Sequence, residues 1–209
     1  MNLLDPEINR YLINLLPERD PILLEMETYA QQRQFPIVGP LVGRLCYQLV
    51  KMINAARIFE MGSGFGYSAY WMAKALPENG KIICTETSTE NIKLAANFFE
   101  RGGLVNKVEF RQGDALEIIQ QVDGPFDVIL NDVDKEDYPR ALELMVPRLR
   151  KGGVLITDNL LWHGRVVQPN PDRATQGVLE YTRMLYSSKE LWTTIIPLRD
   201  GVGVSLRLG

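Results

Sequence analysis

Two apolar runs of this chain end in acids: Leu130-Asn131-Asp132-Val133-Asp134-Lys135 and Ile156-Thr157-Asp158-Asn159. If these runs are neighbouring strands, Asp132, Asp158 and Asn159 converge at one edge. Converging carboxylates repel unless a proton or a cation lies between them. Oxygen donors of this kind suit a hard ion such as Mg2+, Mn2+ or Ca2+. On spacing alone, the same residues read equally well as helix caps and turn acids.

A third apolar run, Arg57–Met61, leads into Gly62-Ser63-Gly64-Phe65-Gly66-Tyr67-Ser68. Glycines spaced by two let a backbone turn tightly and approach a ligand without Cβ clashes. The helix that follows offers free N–H groups. Such a turn alone serves a structural bend as well as a ligand. Glu86, however, ends another apolar run 24 residues beyond Gly62, where a carboxylate can accept hydrogen bonds from both hydroxyls of a ribose. Gly113-Asp114-Ala115 follows the next run, in the position of an adenine. Together these predict a nucleotide-type cofactor. NAD sites favour G-x-G-x-x-G with a pyrophosphate on the helix N-terminus. Here the spacing is G-x-G-x-G, and the acid Glu60 precedes it. That acid opposes a pyrophosphate but suits a cationic sulfonium with an amino group, which favours S-adenosylmethionine.

The elements that must position these residues follow from hydrophobic patterning. Residues 1–56 read as helices: Asp20-Pro21 is an N-cap followed by a first-turn proline, leading into Ile22–Gln34. Gly39-Pro40 opens another helix, with Leu41, Leu45, Leu49 and Met52 at helical spacing. From residue 57 to 209 short apolar runs alternate with amphipathic stretches. Strands are predicted over Arg57–Met61, Lys81–Glu86, Lys107–Arg111, Phe126–Asp132 and Val154–Asp158. Helices are predicted over Tyr67–Leu76, Thr89–Arg101, Ala115–Gln121 and Tyr138–Arg150. This alternation implies βαβ units and a parallel sheet, with strands apolar on both faces. At the end, Leu191–Pro197 and Val202–Leu208 flank Leu198-Arg199-Asp200-Gly201, an Asp-Gly turn signal, and predict an antiparallel hairpin.

The chain has 209 residues, 45% hydrophobic and 23% charged, with net charge −3. These fit one α/β domain over 1–209, and no basic run marks a nucleic-acid footprint. Met1-Asn2-Leu3-Leu4-Asp5-Pro6-Glu7 lacks the basic start and apolar stretch of a leader, and no membrane span is expected. Cys46 and Cys84 lack metal-type spacing, which predicts a reduced, cytoplasmic protein.

The segments Phe59–Ser68, Asp132-Val133-Asp134-Lys135 and Asp158-Asn159-Leu160-Leu161-Trp162 occur in order and together resemble the divalent-metal-dependent O-methyltransferases. That family includes caffeoyl-CoA and catechol O-methyltransferases and small bacterial relatives. The resemblance covers roughly residues 35 to 209. It implies a Rossmann-like fold with a seven-stranded, mostly parallel sheet, commonly in a homodimer. It also implies Asp132, Asp158 and Asn159 as metal ligands and Lys135 as general base. Glu60, Gly62, Gly64, Gly66 and Ser68 would lie around the methionine part of S-adenosylmethionine, with Glu86 on the ribose. Asp114 and Ala115 would border the adenine, and Asp132 would also face the cofactor. The loop Phe35–Pro40 would close over it.

Two residues depart from the family pattern. Asn131 stands where an apolar residue is usual, and strand alternation points it away from Asp132. Val133 replaces a small residue, leaving Asp134 either behind the ligands or facing solvent. His163 is the only histidine, so a two-histidine metal site within one chain is excluded. It reads as a loop residue, with substrate contact as the alternative, and Trp162 reads as a loop anchor or a substrate wall.

The resemblance implies methyl transfer to a hydroxyl of a small vicinal diol, catechol-type or hydroxycinnamoyl-type, with Lys135 accepting the proton. On position alone Lys135 reads as a solvated residue of the run Asp134-Lys135-Glu136-Asp137. A hydroxylated tRNA base is a competing acceptor, against which the acidic net charge argues. A nucleotide-binding module without catalysis is a third reading, against which Lys135 and the three oxygen donors count.

Overall fold

Strands buried on both faces need apolar side chains at every position, and the central runs of this chain supply them. The computed structural model describes residues 5–209. Met1–Leu4, part of the segment read as lacking a leader, lie outside the described residues. Seven strands form one sheet: β1 (Arg57–Met61), β2 (Lys81–Glu86), β3 (Val108–Gln112), β4 (Phe126–Asn131), β5 (Leu149–Thr157), β6 (Leu191–Ile196) and β7 (Val202–Arg207). Their order is β3-β2-β1-β4-β5-β7-β6. The first five are parallel, and β7 runs antiparallel to β5 and β6. The expected Rossmann-like sheet with a terminal hairpin is thus observed.

Chain order reverses between β1 and β4. In open α/β sheets the crevice for a ligand lies at such a switch point, beyond the carboxyl ends of the strands. The register brings three strand ends level there. Met61 pairs with Asn131, and Asn131 with Thr157. The next residues, Gly62, Asp132 and Asp158, therefore emerge side by side. Asp132 N donates to Met61 O at 2.9 Å, and Asp158 N to Asn131 O at 3.3 Å.

Helices cover both faces. On one lie α2 (Pro21–Arg33), α3 (Gly39–Met52), α4 (Tyr67–Ala75) and α5 (Thr89–Arg101); on the other lie α6 (Ala115–Gln121), α7 (Tyr138–Met145) and α8 (Arg173–Ser187). A further helix, α1 (Pro6–Asn14), precedes them. Adjacent strand residues serve opposite layers: Ile58, Val128 and Ile156 pack on the first, Phe59, Ile129 and Leu155 on the second. Asp20 caps α2 as its sequence predicts, accepting from Leu23 N at 2.9 Å. Among the described residues no helix is long and apolar enough to cross a membrane.

Beyond one-residue shifts at several element ends, three differences stand out. The helix expected over Tyr138–Arg150 stops at Met145, because Pro147 cannot continue it and opens a 3₁₀ turn over Val146–Arg148. The strand expected from Val154 therefore begins earlier, at Leu149, opposite Phe126, with a register shift before Val128. Helix α8 has no counterpart in the periodicity reading. Its Asp172 cap accepts from Thr175 N at 2.8 Å, and its buried Val178, Tyr181 and Leu185 lie at helical spacing.

Candidate active site

The turn after β1 is built by a close approach. Gly62 has φ of +82°, and a Cβ there would stand 2.5 Å from the Asp132 carbonyl oxygen. Only a residue without a Cβ lets the glycine-rich turn meet the end of β4 so closely. Ser63 N closes the turn from the other side, donating to Thr85 O at 2.9 Å. Gly64 faces the Phe35 ring, and Gly66 lets α4 approach Ala95 and Phe99 of α5.

Among the described residues, cavities along this edge include three that bear on the site. One of about 200 Å³ lies between the segment Phe35–Val38 and the turn Gly62–Ser68. A second, of about 190 Å³, is lined by Glu86, Gly113, Asp114 and Ala115. The third, of about 730 Å³, is lined by Lys135, Asn159, Trp162, His163 and Arg199, with Pro36 and Ile37 at its rim. Glu86 and Gly62 face both smaller cavities, and Asp132 faces all three. An elongated ligand lying across the two smaller spaces would thus have Glu86 at its middle and Asp132 between it and the larger chamber. The Glu86 carboxylate is already oriented, accepting from Ser88 N at 2.8 Å. Asp114 caps α6, its Oδ1 accepting from Leu116 N at 2.7 Å and Glu117 N at 3.0 Å.

Glu60 sits differently from its sequence expectation. It is fully buried, one layer behind the first cavity. The Ser68 hydroxyl lines that cavity and donates to Glu60 Oε1 at 2.5 Å. Glu60 therefore orients Ser68. Burial pushes its carboxyl up to about 7, opposed by the Ser68 hydroxyl and the Cys84 thiol.

Asp132 and Asp158 are each paired with a cation. Lys135 Nζ lies 2.7 Å from Asp132 Oδ1, beneath the rings of Tyr138 and Trp162 at 5.0 and 5.7 Å. Lys135 is buried, so it is not the solvated lysine that its charged neighbourhood suggests. Arg199 Nη1 lies 2.6 Å from Asp158 Oδ2. Burial raises both carboxyls, Asp158 to about 6, while Arg199 and Lys135 pull against it.

Among the described residues Asp158 Oδ1 is buried with no hydrogen-bond partner. Asn159, at φ of +61°, donates its Nδ2 to Asp200 Oδ2 at 3.3 Å, which leaves its amide oxygen for another partner. Among the described residues no three His, Cys, Asp or Glu side chains cluster as a metal site. Two carboxylates and an amide remain as donors. An orphaned carboxylate oxygen beside a second acid is the feature a hard cation satisfies, so the residues fit such an ion.

Asn131 is fully buried, beside Tyr181, whose hydroxyl lies 2.5 Å from the Thr157 hydroxyl. Asp134 and His163 line the large chamber. His163 stacks on Trp162, and its backbone N–H donates to Asp200 Oδ1 at 2.5 Å. The sequence reading passed over Arg199, Asp200 and Tyr67. The first two carried only a turn signal. Tyr67 lines the first cavity and donates to Glu27 Oε1 at 2.7 Å, a contact across 40 residues with no local sign.

The sequence profile of a family described as O-methyltransferase matches residues 18–208. The catechol O-methyltransferase of Niastella koreensis is 31% identical over 198 residues, which cover 91% of this chain and 90% of that protein. Caffeoyl-CoA O-methyltransferase 1 of Arabidopsis thaliana is 32% identical over 180 residues, covering 79% and 69%. The crystal structure of the O-methyltransferase TomG from Streptomyces achromogenes, in complex with SAM, matches with a TM-score of 0.89 at 29% identity, covering 97% of this chain and 96% of that one.

Proposed function

The chain belongs to the O-methyltransferase family and is an S-adenosylmethionine-dependent enzyme; we propose that it methylates a hydroxyl of a small vicinal diol, catechol-type or hydroxycinnamoyl-type, with a divalent cation in its site. The observation that carries this reading is Asp132. It faces the two smaller cavities and the large chamber at once, and it holds Lys135 by an ion pair of 2.7 Å.

In this reading the cofactor's methionine part lies against Gly62, Gly64 and Ser68, with Glu60 and Gly66 supporting that turn from behind. Glu86 receives the ribose hydroxyls, and Asp114 and Ala115 border the adenine. Asp132, Asp158 and Asn159 hold the cation, Mg2+ in the first place, or Mn2+ or Ca2+. When bound, such an ion supplies Lewis acidity and a template for two vicinal oxygens. The acceptor hydroxyl would lose its proton to Lys135 Nζ in its neutral amine form, after the ammonium paired with Asp132 has given its own proton to solvent. Its oxygen forms a bond to the methyl carbon as the sulfur–carbon bond breaks, and a neutral thioether leaves. Trp162 and Tyr138 flank Lys135 and limit its motion. Positioning of this kind supplies roughly 7–11 kcal/mol of a barrier in well-oriented systems.

A small acceptor is supported by the charge of the chamber. Asp134, Glu136 and Asp137 line it alongside Asp132, and acids repel a phosphodiester chain. The homodimer implied by resemblance is part of the same reading. Helix α1 buries none of its residues, and Tyr11 is 62% exposed, which supports a partner surface there.

The test is methyl transfer from labelled S-adenosylmethionine to catechols, hydroxycinnamoyl thioesters, and tRNA with and without a hydroxylated base. Turnover of a diol-bearing phenol with Mg2+ is expected. Turnover confined to tRNA would overturn the acceptor class and leave the family standing.

A further inference from the structure

The β6–β7 turn does more than reverse the chain. It is closed by Gly201 N donating to Leu198 O at 2.9 Å. Leu160 N donates to Gly201 O and Leu161 N to Asp200 O, both at 2.9 Å, so the turn is fastened to the loop that carries Asp158 and Asn159. Arg199 sits in this turn at φ of +52°, a left-handed conformation that non-glycine residues rarely adopt. Such strain persists where the surroundings over-determine it. Here the fastened turn delivers the guanidinium to Asp158 Oδ2 at 2.6 Å, against a carboxylate that is only 3% exposed.

The two carboxylates proposed to hold the metal therefore already have cation partners. Lys135 answers Asp132, and Arg199 answers Asp158. A divalent ion added while both cations stay would bring two more positive charges against carboxylates that are already paired in a partly buried site, which is costly. Lys135 is held between two rings and a carboxylate. Arg199 is one-third exposed and lines the open chamber, so it is the cation with room to leave.

We propose that Arg199 is a resident counter-ion of Asp158 that a divalent cation displaces, so that this chain exchanges its Arg199–Asp158 ion pair for the metal. The proposal rests on the metal reading above. It makes Arg199 a residue that sets metal affinity from outside the ligand set. Without metal, the guanidinium keeps a buried carboxylate compensated. With metal, it is released into the acceptor chamber.

The experiment is titration of Mn2+ into the full chain, followed by the spin resonance of free Mn2+ and by calorimetry. Arg199→Gly suits the left-handed backbone and removes the competing charge. It should bind Mn2+ about 10- to 100-fold more tightly than the parent. Arg199→Lys keeps the charge and should stay near the parent. Combining Arg199→Gly with Asp158→Asn should abolish the gain. S-adenosylhomocysteine binding to each variant checks that the fold is intact. Equal or weaker Mn2+ binding by Arg199→Gly, at a site still lost with Asp158→Asn, overturns the exchange and leaves the metal reading in place. Absence of any Asp158-dependent Mn2+ binding in parent and variant overturns both.

Discussion

Lys135 Nζ lies 2.7 Å from Asp132 Oδ1, three residues along the same loop. This pair joins the residue that faces all three cavities to the group proposed to take a proton. Lys135→Ala should lower kcat by roughly 10²–10⁴-fold and leave S-adenosylmethionine affinity within about twofold. Steady-state kinetics with saturating metal, beside calorimetric titration of the cofactor, separates the two effects. A kcat near the parent's would return Lys135 to a structural ion pair.

Glu86 faces both smaller cavities and is oriented by Ser88 N. A carboxylate hydrogen bond to a hydroxyl contributes about 1.5–3 kcal/mol. Glu86→Ala should therefore weaken S-adenosylmethionine binding about 10- to 100-fold with thermal stability nearly unchanged. Unaltered affinity by calorimetry would remove Glu86 from the cofactor site.

Glu60 gives a pH signature. Its carboxyl is raised from an ordinary 4.5 to about 7, first by burial. The native state thus keeps a proton that the unfolded chain releases, and the stability this confers is complete below about 4.5. It is lost as pH rises through about 7, by roughly 3 kcal/mol in total. Glu60→Gln stays neutral and can still accept from Ser68. The gap in Tm between Glu60→Gln and the parent should therefore widen in favour of the variant from pH 4.5 to 7.5. A gap independent of pH would mean that folding does not raise the Glu60 carboxyl.

Much of this arrangement was legible in the sequence, and the exceptions have physical causes. Strands β1 and β2 match their predicted bounds, Arg57–Met61 and Lys81–Glu86, because continuous apolar runs with polar ends leave little choice of register. The level alignment of Gly62, Asp132 and Asp158 follows from three parallel strands ending together. What local pattern does not encode is pairing at long range. Arg199 meets Asp158 across 41 residues, from a turn whose only sequence mark is Asp-Gly. Pro147 ended a helix that periodicity alone carried on to Arg150. Glu60 was read as a cofactor contact from its place before the glycines, yet β1 is covered on both faces, which buries Glu60 and leaves Ser68 to line the cavity.

The cation is the central claim about chemistry, and one measurement tests it directly. Methyl transfer to a diol-bearing acceptor should vanish in chelator and return with Mg2+ or Mn2+. Asp158→Ala should abolish or uncouple that recovery while S-adenosylmethionine still binds, since Gly62, Ser68 and Glu86 do not depend on the ion. Full turnover in chelator, on the same acceptor, would contradict the account. Asp132 and Asp158 would then be acids compensated by Lys135 and Arg199 alone.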